Sequence, residues 1–223
     1  MNSNKNPPRL LGAAFLIVLF LTFSELWTLS IIETGSVSDS LASISNSLMQ
    51  LRISILLGIL LSAGIVVLAV LLFLVFQKQN KPIALVALGW WLLEAITVAI
   101  RQMSVYALIP ITLEYTKAGA PDSSHFQTLA TLFFDVGHWV YDVHLWFVGL
   151  GGILWYYLFY RTKYIPRLLS IWGIVGVSLV LISGIIGGFE VRPLPLILPN
   201  ALFELAIGLW LVVKGIKSYE PVG

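Results

Sequence analysis

The sequence predicts an all-α membrane protein: a six-transmembrane-helix bundle, N-in/C-in, with a short extracytoplasmic amphipathic segment between helices 1 and 2. Three observations carry that prediction. Of 223 residues, 58% are hydrophobic and only 11% charged, whereas soluble domains carry about 25% charged residues; the mean hydropathy is +0.93. Apolar segments recur at lengths near the roughly 20 residues that cross a bilayer. The basic residues between those segments alternate in density from one side to the other.

The spans read as residues 10–32, 51–76, 83–109, 129–160, 168–188 and 199–213. Lys5 and Arg9 precede the first. That run outlasts the apolar core of a secretory leader, about 7–15 residues, and no small-residue cleavage pattern follows it. It reads as a retained signal-anchor helix. Between spans one and two, Val37, Leu41, Ile44, Leu48 and Leu51 recur at helical spacing beside Asp39 and a Ser/Asn-rich face. The segment lacks the Lys and Arg of an anionic-lipid-binding helix and reads as a short packing helix. Ser124-His125-Phe126-Gln127 fits a capping box before span four, after a turn at Pro121 and Asp122. Pro110 removes an amide donor near the end of span three. Pro193, Pro195 and Pro199 predict a rigid, non-helical connection before span six.

Charge orients the spans. Lys5, Arg9, Lys78, Lys81, Arg161, Lys163, Arg167, Lys214 and Lys217 fall on one side, against Arg52, Lys117 and Arg192 on the other. The positive-inside rule places the richer side in the cytoplasm. The organisation is then a cytoplasmic tail at 1–9, one transmembrane domain at 10–217 and a second tail at 218–223. Small-residue stripes at Ser54, Gly58 and Ser62, and at Gly184 and Gly188, mark close helix contacts.

Several function classes drop out. The chain has no cysteine, which excludes disulfides, thiolate metal ligands and cysteine nucleophiles. A net charge of +2 without clustered basic residues gives no nucleic-acid footprint. No G-x-S-x-G elbow, P-loop or Rossmann fingerprint is present. The glycines around Gly149-Leu150-Gly151-Gly152, and Trp90-Trp91, read as packing; His125 reads as a loop residue and His144 as a packed one.

The informative feature is acid inside the spans. Glu25, Glu94, Asp135, Asp142 and Glu204 lie in apolar segments with Arg101 among them. An ionised side chain at the bilayer centre costs roughly 2.5–3.5 kcal/mol on insertion scales, so these groups are expected to shelter together in the outer half of the bilayer. Asp135, His138 and Asp142 share one helical face; Glu94, Thr97 and Arg101 form another stripe, and Thr22 and Glu25 a third. Three readings follow. Arg101 pairs with Glu94, Asp135 or Glu204 in a structural network. The acid excess forms a cavity for a small or cationic ligand, with a role in transport. Alternatively, Asp135, His138 and Asp142 hold a divalent metal that activates water for an intramembrane hydrolase. A non-enzymatic structural or stress-response accessory protein is a further alternative. No cofactor is established by the sequence; the expected partners are the lipid bilayer and a small-molecule or cationic ligand.

The stretch Leu198-Pro199-Asn200-Ala201-Leu202-Phe203-Glu204-Leu205, followed by Gly208-Leu209-Trp210 and Lys214-Gly215, resembles the Domain of Unknown Function 4386 family. Arg9-Leu10 with Gly12, Leu93-Glu94-Ala95 and Ile165-Pro166-Arg167 add to the resemblance over nearly the whole chain. It implies a multi-pass protein of the bacterial cytoplasmic (inner) membrane with no established activity, and it draws attention to Glu94 and Glu204.

Overall fold

The computed structural model describes residues 6–30, 32–119, 124–188 and 196–216, and among them every regular element is a helix. In chain order these are α1 (Asn6–Ser30), α2 (Val37–Asn46), α3 (Leu48–Lys117), α4 (Ser124–Thr162), α5 (Arg167–Gly187) and α6 (Leu198–Lys214). Four of them, α1, α3, α4 and α5, are long and apolar enough to cross a membrane. The chain is therefore built as a membrane protein. The turn at Pro121 and Asp122, the residues Pro193 and Pro195, and Lys5, Arg192 and Lys217 lie outside the described residues.

Two expected spans are merged in α3. This 70-residue element leaves helical geometry at Asn80 (φ −158°, ψ 87°). Asn80 Oδ1 accepts the amide of Ile83 at 3.2 Å, so the side chain caps a second arm, and Pro82 sits where a helix start leaves its amide unneeded. The arms, residues 48–79 and 81–117, fold back on each other. Ser62 Oγ donates to the Ala95 carbonyl at 2.8 Å, and Gly58 lies against the Gln102 side chain. Both pairs are nearly symmetric about Asn80, which makes α3 an antiparallel hairpin.

Other boundaries move. The second arm continues through Pro110 to Lys117, because Leu108, Ile109 and Tyr115 are held in an apolar core on either side of the proline. α1 starts before residue 10, and His125 belongs to α4 rather than a loop. The periodic run from Val37 to Leu51 is split between α2 and α3 by Ser47 (φ −132°, ψ 32°). Its apolar face survives the break: Leu41, Ile44 and Leu51 are fully buried in one cluster. A true capping box starts α2. Ser36 Oγ accepts the Asp39 amide at 3.2 Å, and Asp39 Oδ2 accepts the Ser36 amide at 3.3 Å. The Ser36 hydroxyl also donates to Asp39 Oδ2 at 2.6 Å, and this bond first, the Ser36 amide second, holds the Asp39 carboxyl below its ordinary range.

The helices close into a ring in which α1 neighbours α3, α3 neighbours α4, α4 neighbours α5, α5 neighbours α6, and α6 returns to α1. α2 lies on α3 and α4. Glycine permits the close contacts. A Cβ on Gly12 would lie 2.7 Å from the Val212 amide nitrogen and 2.8 Å from the Gly208 carbonyl. Gly149 and Gly152 admit Leu181 and Val177 of α5, while Gly151 admits Trp91. Gly184 meets Trp146 and Leu145, but Gly188 has no neighbour outside its own helix end.

Two apolar cores result. One, toward the hairpin tip, gathers Phe15, Phe76, Trp155, Tyr156, Phe159 and Phe203. The other, under α2, gathers Leu29, Leu41, Ile44, Leu51, Leu108 and Ala130. On α1 and on both arms of α3 the polar residues Glu25, Ser54, Gln102 and Arg101 fall between the two cores. Replacing Gly12 by leucine forces α1 away from the α6 backbone; we expect a loss of about 1–3 kcal/mol, read as a lower denaturation midpoint in detergent. An unchanged midpoint would contradict the close contact.

Candidate functional site

The polar layer divides into a paired part and an unpaired part. In the paired part, Glu25 of α1 is nearly fully buried. Its Oε1 accepts Arg101 Nη1 at 3.0 Å and Gln102 Nε2 at 2.9 Å, both from the second arm of α3. The Arg101 guanidinium also lies 5.1 Å from the centre of the Tyr141 ring on α4. Gln102 reaches this position because Gly58 on the first arm has no side chain to block it.

Glu25 replaces the partners expected for Arg101. Glu94 stands two turns away on the same helix, about 10 Å along the axis, and Asp135 is exposed on another face of α4. Glu204 belongs to α6, which does not neighbour α3 in the ring. Thr97, expected in the same stripe, turns back to its own helix and donates to the Glu94 carbonyl at 2.7 Å.

The unpaired part lies inside the ring. A cavity of about 120 Å³ is lined by Glu94 of α3, Asn200 and Glu204 of α6, Tyr141 and His144 of α4, and Thr22 of α1. No Lys or Arg is among its lining residues. Asn200 Nδ2 donates to Glu204 Oε1 at 2.9 Å, one helical turn away. Glu94 Oε2, His144 Nδ1 and Asn200 Oδ1 are buried without a hydrogen-bond partner. Leaving such an atom unmet costs roughly 1–3 kcal/mol, and three of the nine buried, unmatched side-chain atoms among the described residues belong to residues lining this one cavity. Two carboxylates on one largely apolar cavity repel when both are ionised, and a cation or a shared proton relieves that repulsion.

The remaining acids separate. Asp142 is buried, and its carboxylate lies against Gly187 of α5, where any Cβ would collide with it. Asp135 and His138 instead line a cavity of about 260 Å³ with Glu33, Thr34 and Thr131 at the α2 end of the bundle. His138 Nε2 is 3.4 Å from Glu33 Oε2. Helical spacing places Asp135, His138 and Asp142 on one side of α4, but neighbours on different sides claim them. Among the described residues no group of three His, Asp or Glu side chains could hold a metal ion; the metal triad expected from the spacing is not assembled.

His144, expected as a packed residue, does pack on Tyr141, with ring centroids 5.8 Å apart, and it also lines the central cavity. Its spacing from Tyr141 and Val148, one turn off on either side, was the available signal: all three line the central cavity. Trp90 and Trp91 do pack, the first stacked on Phe147 with centroids 5.8 Å apart, the second edge-on to Trp155 at 6.1 Å.

Residues 10–215 match the family described as Domain of unknown function (DUF4386), and the chain belongs to that family. No curated protein and no solved structure matches it.

Removing either partner of the buried pair, by Glu25→Gln or Arg101→Gln, strands a charge; we expect each to cost about 3–5 kcal/mol. The double variant regains most of that loss. Equal midpoints for single and double variants would show that the two side chains do not act as a pair.

Proposed function

We propose that this DUF4386 protein binds a small cation, or a proton in its place, in the cavity lined by Glu94 and Glu204, and that binding serves transport across a bacterial cytoplasmic membrane. The carrying observation is the unpaired Glu94 carboxylate oxygen, buried at a cavity shared with Glu204 and lined by no Lys or Arg. Intramembrane acids commonly mark ion or substrate pathways. Glu25 is the architectural acid here, since Arg101 and Gln102 satisfy it. Glu94 and Glu204 are the acids left for a ligand. His144 and Asn200 orient it, the first through an unpartnered ring nitrogen and the second through an unpartnered carbonyl.

The reading takes the described helices as six crossings of one transmembrane domain: α1, each arm of α3, α4, α5 and α6. The 17 residues of α6 meet the lower limit of about 17 for a span. Lys78 and Lys81 flank the hairpin tip, Arg161, Lys163 and Arg167 the α4–α5 turn, and Lys214 ends α6. This basic end faces the cytoplasm by the positive-inside rule, both termini lie there, and α2 caps the outer end. α4, at 39 residues, is about 58 Å long and extends well past a hydrocarbon layer of about 30 Å.

Topology is tested in the chain's cysteine-free background. A cysteine at Ser124 should react with an impermeant maleimide on intact cells, and one at Lys81 only after permeabilisation; the reverse result refutes the orientation. For binding, sodium, potassium and methylammonium are titrated at constant ionic strength against bulky N-methylglucamine. At saturation near 100 times Kd, stabilisation of about 2.7 kcal/mol is expected. Glu204→Gln and Glu94→Gln should abolish that stabilisation while the bundle stays folded. A response to none of the three cations, or an equal response in the variants, overturns the proposal.

A further inference from the structure

We infer that the occupant of the central cavity is a primary alkylammonium of about four carbons, its charged head held by Glu94 and Glu204 and its chain directed outward toward Leu26. This inference rests on the cation-binding reading of the same cavity and names the chemical class of the ligand.

The cavity is long, and its acids stand at one end. Contacts between helices fix the levels. α1 and the second arm of α3 run in the same direction, since Phe15 and Ala84 share the core at the hairpin tip and Leu29 and Leu108 the core under α2. Arg101 and Gln102 meet Glu25, so Glu94, seven residues before Arg101 in the chain, is level with Val18. α6 runs the opposite way and crosses α1 where Gly12 meets Gly208 and Val212. Glu204 is therefore level with Val18 as well, to within about one turn. On α1 the lining extends from Val18 to Leu26, about 12 Å at the helical rise. Beyond the acids the wall is built by Phe23, Leu26, Leu61, Leu145 and Ile197. Arg101 and Glu25 stand together at the far end, beside Leu26. A cationic head is disfavoured next to that guanidinium, which sends it to the acids and leaves its chain pointing outward.

The chemistry of the two ends differs in the same sense. A primary ammonium presents three N–H donors. The acid end offers acceptors for them: the unpartnered Glu94 Oε2, the Glu204 carboxylate and the unpartnered Asn200 Oδ1. Asn200 belongs to this end because its own amide already donates to Glu204. A hard divalent ion takes about six or more oxygens, and the apolar wall supplies none of them. A hydrocarbon chain fits that wall, in the manner of ligand sites that are mostly apolar with a few placed polar groups. Volume sets the length. An apolar cavity of about 150 Å³ takes the carbons of benzene. The 120 Å³ here takes roughly five non-hydrogen atoms, the nitrogen and about four carbons.

The full chain in detergent is titrated with methyl-, ethyl-, propyl-, butyl- and hexylammonium chloride at constant ionic strength. Kd is read from the rise of the denaturation midpoint with concentration. A buried methylene is worth about 0.8 kcal/mol, so Kd should fall about fourfold per carbon from methyl- to butylammonium. Hexylammonium should lose that gain because its chain overfills the cavity. Butyltrimethylammonium has the same charge and chain but no N–H, and should bind about tenfold more weakly than butylammonium, or worse. The uncharged 1-butanol should leave the midpoint where it is. Ala201 also lines the cavity; Ala201→Leu thickens the wall and should weaken butylammonium about tenfold or more while sparing methylammonium. Should that variant fail to fold, Leu26→Ala lengthens the cavity and should move the best fit from butyl- to hexylammonium. A Kd that does not change along the series overturns the inference, as does an equal response to butyltrimethylammonium or to 1-butanol. If methylammonium binds and longer chains bind no better, the cation site stands and the alkyl class falls. If no ammonium and no alkali cation binds, both fall.

Discussion

Arg101 reaches across from the second arm of α3 to a single carboxylate oxygen on α1, and the polar layer is organised around that contact. Hydrocarbon and protein interior both penalise an isolated charge, so the guanidinium, the Glu25 carboxylate, the Gln102 amide and the Tyr141 ring must arrive together. Each comes from an element whose position is set elsewhere. The hairpin at Asn80 brings Gly58 opposite Gln102, and the absent side chain at Gly58 lets the amide turn toward Glu25. An ion pair of this kind is weak evidence for stability by itself. What it supplies is registry: slide α1 by one turn against α3 and the arginine loses its partner.

Around that layer the bundle solves a problem particular to lipid. Between apolar helices in an apolar solvent there is little hydrophobic drive, so contact area and close approach carry association. The glycines at Gly12, Gly149, Gly152 and Gly184 bring backbones and side chains of neighbouring helices into direct contact. Large rings fill the remaining space near the hairpin tip, where Phe76 meets Phe159 edge-on with centroids 4.7 Å apart and lies along Tyr164 at 5.7 Å. Two cores are thus tightly built, and the cavity shared by Glu94 and Glu204 remains between them.

The five intramembrane acids therefore have different fates. Glu25 is satisfied, Asp142 is wedged against Gly187, Asp135 is exposed beside His138, and Glu94 and Glu204 share a cavity. Chemistry follows partnership rather than residue type. A carboxylate already accepting two donors is part of the frame, whereas a buried, unmatched oxygen is an exception among native polar groups that calls for a reason of its own. Membership in DUF4386 supplies no activity to choose between such roles, so the division between paired and unpaired acids is what directs the functional reading.

Much of this was legible in the residues themselves. Hydropathy marked the membrane character, and the apolar runs located the helices. The Asn200–Glu204 contact was implicit in a one-turn spacing on α6. These are properties of one helix at a time, written in a local period of about 3.6 residues. Only the tertiary structure decided that Arg101 chooses Glu25, that His144 rather than His138 lines the central cavity, and that the Asp135, His138 and Asp142 face divides between neighbours. Those outcomes depend on how far each helix is rotated and shifted against the next. Rotation and shift are set by contacts between residues distant in the chain, Gly12 with Val212 or Gly187 with Asp142, and no local period encodes them.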